Sequence, residues 1–493
     1  MKPLRIVILG GGSAGWMIAC LMAQRWLGPD APRPFEITLV ESPQIGIIGV
    51  GEGSTPQLKA FFDQLGIAES DWMPACDATY KLGIRFTGWS ERLGHDSYFH
   101  PFPSPIDLHT QPAFERACAL RRSGVDIPAH PDDWFLATRL AREKRSPHPA
   151  ENFPFTPSYG YHFDAQKVGD FLAAHARSLG VRHSKGRVEQ VELSTGGDIA
   201  ALICARGERM EGDLFVDSSG FRAVIASALG MTFQPFARNL FNDAAVTLPT
   251  PAADQPGTPA TEATALSNGW AWSIPLTSRT GNGYVYSSRY IDANAAETEL
   301  RRHLGLEQAD IEARHLNMKV GRMTDSWCAN CLTVGLSQGF LEPLEATALH
   351  VVIATANDFM SAFEAGDYTP QHRARFNAKI GARYENIRDY IVAHYRLNRR
   401  TDTDYWRDNA VNDYLSDSLK AMMTAWFTGA NIASKVTELD IGGAYSSLSW
   451  HCLFAGYGHF PVKTHTPTGK MRGVTEHQTT KELIRRAALS FLS

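Results

Sequence analysis

The stretch Arg5-Ile6-Val7-Ile8-Leu9-Gly10-Gly11-Gly12-Ser13-Ala14-Gly15 sets the fold class. Its apolar, β-branched first half predicts a strand. G-x-G-x-x-G then predicts a tight turn, and the apolar run from Trp16 to Trp26 a helix. Strand, glycine turn and helix together are the context that a dinucleotide-binding fingerprint requires. Gly10 permits the turn, Gly12 lets backbone approach a pyrophosphate, and Gly15 lets the helix close on the strand. Ser13 and Ala14 open a helix whose N-terminus offers N–H groups and a positive dipole end to phosphate. The next strand, Phe35-Glu36-Ile37-Thr38-Leu39-Val40, ends at Glu41, where a carboxylate can take ribose hydroxyls. The rival reading is a secretory signal, since Lys2 and Arg5 lead into an uncharged run from Ile6 to Ala23. Three successive glycines interrupt the continuous apolar helix that such a signal needs.

A chain of 493 residues has room for two or three domains. A net charge of −4 and a charged fraction of 20% argue against a nucleic-acid or membrane surface as the main partner. Seven scattered cysteines, an odd number, do not form a disulfide framework and suit a reducing cytoplasm. No unbroken run of about 18 apolar residues predicts a membrane-spanning helix. Eleven tryptophans and 25 phenylalanines predict large aromatic interiors, which an ordinary core or an aromatic substrate pocket would produce alike.

Past Glu41, the glycine-rich run from Ile45 to Pro56 predicts a loop that presses backbone against a flat ligand, with Gly49 and Gly51 as contacts. Pro56 is suited to open a helix over 57–65. From Thr79 to Phe86 apolar and polar residues alternate with strand period, which turns Lys81 away from the apolar face as a solvated side chain. Asp164 is placed to cap a helix over 165–178, and His162 reads as a satisfied structural histidine. A β-meander follows over 186–206, and the strand ending at Asp217 returns the chain to the nucleotide sheet. The nucleotide module is therefore discontinuous, made of 1–95, 160–225 and 320–365; the remainder is 96–159, 226–319 and 366–493. Trp270 and Trp272 share one face of a strand. Cys328-Ala329-Asn330-Cys331 has no second C-x-x-C to complete a zinc site and no thioredoxin-like context, so it reads as incidental, and no metal site is expected. Glu342 and Glu345 sit where a loop becomes a helix, and the N–H groups of Thr347 and Ala348 are placed for an anion. Further helices are expected over 373–397 and 411–427, then loops over 441–470.

Together these stretches resemble the flavin-dependent tryptophan halogenase family. The resemblance rests on Gly10 to Gly15, Gly49-Val50-Gly51-Glu52, Tyr80-Lys81-Leu82, Trp270-Ala271-Trp272-Ser273-Ile274-Pro275 and Pro343-Leu344-Glu345-Ala346-Thr347. Flavin hydroxylases share the glycine fingerprint without the W-x-W-x-I-P string. The resemblance implies an α/β fold: an FAD-binding, Rossmann-like two-dinucleotide-fold module with a mostly helical substrate region. It implies reduced FAD from a separate NAD(P)H-dependent reductase, a halide ion as co-substrate, and hypohalous acid that passes internally to an electron-rich aromatic ring. A homodimer is among the assemblies it allows.

By the same resemblance Lys81 is the catalytic lysine that holds or carries the electrophilic halogen, a task for an amine and not a guanidinium. Glu345 binds that lysine or takes the proton from the halogenated ring. Thr347 and Ala348 hold halide through backbone, Val188, Leu336 and Leu349 contact flavin, and His100 and Phe102 sandwich the ring, with Trp270 and Trp272 also on the substrate side. The chain departs from the family at Ala346-Thr347-Ala348, where Ser and then Thr-Gly are usual, a change at the halide site that leaves both chloride and bromide as expected halides. It also lacks, in 445–459, the paired tyrosine and the glutamate that hold the amino acid end of free tryptophan. Indole or a larger indole-like compound is the expected substrate. The competing expectations are a flavin hydroxylase and a non-enzymatic binding protein on the same fold.

Overall fold

The strand Leu4–Leu9 pairs in parallel with Phe35–Glu41 on one side and Leu214–Asp217 on the other, with Ile6 opposite both Ile37 and Leu214. In the computed structural model the described residues are all but 1, 30, 32, 45, 47–50, 253–256, 462–469 and 493. Arg182–Lys185 extends this sheet beyond Phe35–Glu41; Cys331–Thr333 and then Trp327–Cys328 extend it beyond Leu214–Asp217. Only the outermost hairpin is antiparallel. A parallel sheet is covered on both faces, which is why its central strands are nearly uniformly apolar. The helix Ser13–Trp26 is buried from Gly15 through Ala23, packed against Ala165–Ser178 and Ala348–Ala365. Asp164 caps the second of these by accepting from the Lys167 N–H at 3.0 Å.

The chain divides into two compact units. The first, Met1–Ala78, Phe163–Phe236 and Lys319–Glu385, holds the parallel sheet. The second is Thr79–His162, Ala237–Met318 and Asn386–Ser493. It carries an eight-stranded sheet in the order Arg314–Asn317, Ala244–Thr247, Arg279–Tyr286, Gly269–Pro275, Thr261–Leu266, Gly83–Thr87 and Ser97–Pro101, with Thr250–Pro251 paired to Arg279–Tyr286. Its C-terminal part is helical, with Asp404–Val411, Asp417–Thr428, Ile432–Glu438, Ser447–Gly456 and Lys470–Ala488. The fold is thus mixed α/β, with a parallel sheet and a helical C-terminal region.

Three local expectations change. The alternating run from Thr79 to Phe86 is two strands, Thr79–Lys81 and Gly83–Thr87, which belong to different sheets. The chain crosses between them at Leu82, whose N–H reaches the Pro259 carbonyl and whose carbonyl accepts from Phe102. The segment expected as loops over 441–470 contains the helix Ser447–Gly456, buried on every side from Leu448 onward. A helix with no polar face shows no 3.6-residue contrast, so periodicity cannot reveal it. The helix expected from Val411 starts instead at Asp417, because Ser416 caps it by accepting from the Leu419 N–H at 3.0 Å.

Candidate active site

The first unit builds a cradle around the glycine fingerprint. Gly10 has φ +113°, and a Cβ there would lie 2.3 Å from the Ser218 carbonyl oxygen. A Cβ on Gly15 would meet the Gly10 carbonyl at 1.9 Å, which shows how closely helix and strand pack. A Cβ on Gly12 would meet nothing within 4 Å, and Gly12 is the N-cap of the Ser13–Trp26 helix. The fingerprint therefore closes on protein at two glycines and stays open at the third, as a backbone-bound pyrophosphate demands. Ser13 and Ala14 begin the helix, and the Ser13 hydroxyl donates to the Ala165 carbonyl at 3.4 Å. Glu41 ends its strand with a side chain 28% exposed and one carboxylate oxygen 2.7 Å from His183 Nε2.

Other elements of this unit converge on the same cradle. Gly335, at φ +61°, starts the short turn that carries Leu336, and a Cβ on Gly335 would sit 2.7 Å from the Ala14 Cβ. Leu336 is half-buried, and Val188 and Leu349 are buried. Gly51 has φ +87°, whereas Gly49 lies outside the described residues. Asp217 is spent inside the protein: its oxygens accept from the N–H groups of Ser219, Ile225 and Ala226 and from the hydroxyls of Ser219 and Ser337. The turn Pro343–Glu345 leads through Ala346, at φ +55°, into the helix Ala348–Ala365. Glu345 is only 4% exposed, and Glu342 beside it is buried as well. Thr347 caps that helix with its backbone and Ala348 is its first residue, so their N–H groups lie in the turn with no intrahelical acceptor.

The second unit holds the remaining expected residues. Lys81 is 0% exposed, which overturns the expectation of a solvated strand lysine. The break at Leu82 ends its strand before period-2 alternation can carry the side chain to solvent. Its Nζ lies 5.6 Å from the centroid of the Phe102 ring. Phe102 is brought there by its N–H to the Leu82 carbonyl, and His100 sits opposite Ile84 on the strand leading to it. Trp270 and Trp272 are both buried, with ring centroids 6.2 Å apart, and Trp272 covers Gly283 on the next strand. His162 is buried, with both ring nitrogens hydrogen-bonded, to Thr79 Oγ1 and Thr261 Oγ1.

Two residues of this environment were not singled out in the sequence. Gly83 allows the strands beside Lys81 to meet, since a Cβ there would lie 2.2 Å from the His100 carbonyl oxygen. A glycine inside a strand pattern is a signal for such close approach. Tyr390, whose ring centroid is 5.9 Å from that of His100 and 3.6 Å from that of Tyr445, carries no comparable sequence mark.

Comparison with known proteins gives one consistent result. A family model described as tryptophan halogenase matches residues 5–472. The tryptophan 6-halogenase SttH of Streptomyces toxytricini is 37% identical over 446 residues, covering 85% of this chain and 84% of that protein. The tryptophan 7-halogenase RebH of Lentzea aerocolonigenes is 34% identical over 500 residues, covering 96% and 93%. Among solved structures, Xcc4156, a flavin-dependent halogenase from Xanthomonas campestris, superposes with a TM-score of 0.84 at 32% identity, covering 99% of this chain and 97% of that one.

Proposed function

The chain belongs to the tryptophan halogenase family and is a flavin-dependent halogenase, and from that premise we propose that it halogenates indole or an indole derivative in preference to free tryptophan. The cradle fits FAD: the ground over Gly12 is open, a helix N-terminus faces it, and Glu41 keeps an exposed edge. Gly10, Gly12, Ser13, Ala14 and Gly15 hold the pyrophosphate, Glu41 the ribose, and Gly49, Gly51, Val188, Leu336 and Leu349 the flavin. Bound there in its reduced form, FAD supplies the oxygen activation that converts halide to hypohalous acid. A separate NAD(P)H-dependent reductase delivers the reduced flavin, and seven free cysteines suit a reducing cytoplasm.

The halide is held by the backbone N–H groups of Thr347 and Ala348 at the start of the Ala348–Ala365 helix, where the dipole favours an anion. Lys81 carries the electrophilic halogen at Nζ: its neutral amine gives the electron pair that bonds the halogen of hypohalous acid, the halogen–oxygen bond breaks, and the leaving hydroxide takes a proton from that nitrogen to become water. His100 and Phe102 present the ring, with Trp270 and Trp272 on the substrate side. When the ring carbon takes the halogen, the carbon–hydrogen electrons restore aromaticity and the Glu345 carboxylate accepts the proton. The observation that carries this reading is a lysine with no exposed surface lying 5.6 Å from an aromatic ring centroid. Burial keeps bulk water from consuming an electrophile on that nitrogen.

The substrate reading rests on 445–459 holding no tyrosine paired with a glutamate: Tyr445 and Tyr457 stand there, and no glutamate does. Indole, substituted indoles and tryptophan, each offered with chloride and with bromide and with reductase-supplied FAD, test it by product mass. Indoles are expected to be halogenated and free tryptophan to react poorly. Tryptophan outrunning every indole would overturn the substrate choice. NAD(P)H without the reductase is expected to leave bound flavin oxidised.

A further inference from the structure

The hydrogen bonds around His162 form a directed chain. Thr79 donates its single hydroxyl proton to the Pro275 carbonyl at 2.6 Å. Toward His162 Nδ1, 3.2 Å away, that oxygen can therefore only accept, which fixes the proton on Nδ1. Nε2 is left with a lone pair, which accepts the Thr261 hydroxyl at 2.9 Å. Four segments meet at this one ring: the Lys81 strand, the Gly160–Phe163 strand, the start of Thr261–Leu266 and the end of Gly269–Pro275. Pro275 is the last residue of the W-x-W-x-I-P string.

Register places this ring beside the lysine. Thr79 pairs with His162 and Lys81 with Gly160, so Thr79, Lys81 and His162 share one face of this antiparallel strand pair. Gly160 presents no side chain opposite Lys81, leaving His162 as its diagonal neighbour across the strands. We propose that His162 is a positioning residue for Lys81: a neutral imidazole, locked as the Nδ1–H tautomer, that ties the lysine's strand to the Pro275 carbonyl and to Thr261. The W-x-W-x-I-P strand thereby fixes where the amine stands. Complete burial and the neighbouring Lys81 both hold the His162 pKa well below its ordinary value, in keeping with a ring that stays neutral and takes no second proton.

The proposal rests on Lys81 being the halogen-carrying amine. Its test is the partition of oxidant in the full-length protein, given FAD, a flavin reductase, NADH, bromide and indole. Bromoindole formed per oxygen consumed is compared with bromination of an external 1,3-diketone that traps escaping hypobromous acid. His162→Phe keeps the ring's shape without its hydrogen bonds. Thr79→Val removes the hydroxyl, and Thr79→Ser restores it should the histidine variant fail to fold. A displaced amine costs roughly ten- to a hundredfold in bromoindole yield per oxygen. That loss is expected in His162→Phe and Thr79→Val, with the trap brominated instead, FAD affinity and the KM for indole unchanged, and Thr79→Ser near wild type. Wild-type partition in folded His162→Phe or Thr79→Val would overturn the positioning role, as would an equal loss in Thr79→Ser. Wild-type protein that brominates neither indole nor the trap would overturn instead the halogenase reading on which it stands.

Discussion

The Nζ of Lys81 and the ring of Phe102 face each other at 5.6 Å inside the protein, within cation–π range and without solvent. Lys81→Met keeps an apolar stem in that space and removes the nitrogen. Halogenation is expected to fall by roughly a hundredfold or more, while FAD still binds with unchanged affinity. Product analysis alongside flavin titration checks this, and a variant that halogenates at the wild-type rate would remove Lys81 from the chemistry.

The three fingerprint glycines separate ligand binding from folding. Gly12→Ala adds a methyl where no protein atom lies within 4 Å, so the ligand-free protein should lose less than about 1 kcal/mol. Its FAD affinity should fall roughly tenfold or more, a change of about 1.4 kcal/mol. Gly15→Ala drives a methyl to 1.9 Å from the Gly10 carbonyl and should lower stability by about 1–3 kcal/mol even without FAD. Thermal unfolding of both apo variants, followed by flavin titration, distinguishes the two effects; equal destabilisation would contradict them.

Glu345 is almost fully buried at the turn into the Ala348–Ala365 helix. Glu345→Gln preserves its shape and removes the base. The kcat for halogenation is expected to drop roughly 10²- to 10⁴-fold with little change in KM. An unchanged kcat would assign the ring proton to another acceptor.

The stability of the second unit should carry a histidine signature. His459 donates from Nε2 to the Leu397 carbonyl at 2.6 Å, and its Nδ1 faces Arg399. Burial, opposed by the Leu397 hydrogen bond, acts with Arg399, Arg92 and Arg396 to push its pKa from 6.5 to about 4. The folded state therefore resists a proton that the unfolded chain accepts, and this contribution lowers stability as pH falls from 6.5 toward 4 and levels off below. In His459→Gln the slope of Tm against pH over that window should be shallower than in the wild type. Parallel curves would show that His459 does not titrate differently on folding.

Much of this was legible in the residues themselves. Leu4–Leu9, the glycine turn, the apolar helix and the terminal Glu41 announce themselves because local sequence and tertiary role agree there. Asp164 capped the helix its type and position predict. Lys81 is the instructive failure. Alternation runs unbroken through Leu82, yet the chain changes sheets at that residue, and period-2 reasoning assumes a single sheet. The eight-stranded sheet is likewise hidden, since Gly83–Thr87 finds its parallel partner Thr261–Leu266 far along the chain. The Ser447–Gly456 helix, wrapped on all sides, offers no polar face to betray it.

The identity of the atom added to the ring tests the chemistry most directly. Full-length protein with FAD, a flavin reductase, NADH, bromide and indole should yield monobromoindole, recognisable by bromine's isotope doublet, and Lys81→Met should yield essentially none. An indole product that gained oxygen and no bromine would contradict halogenation and place a hydroxylase in its stead.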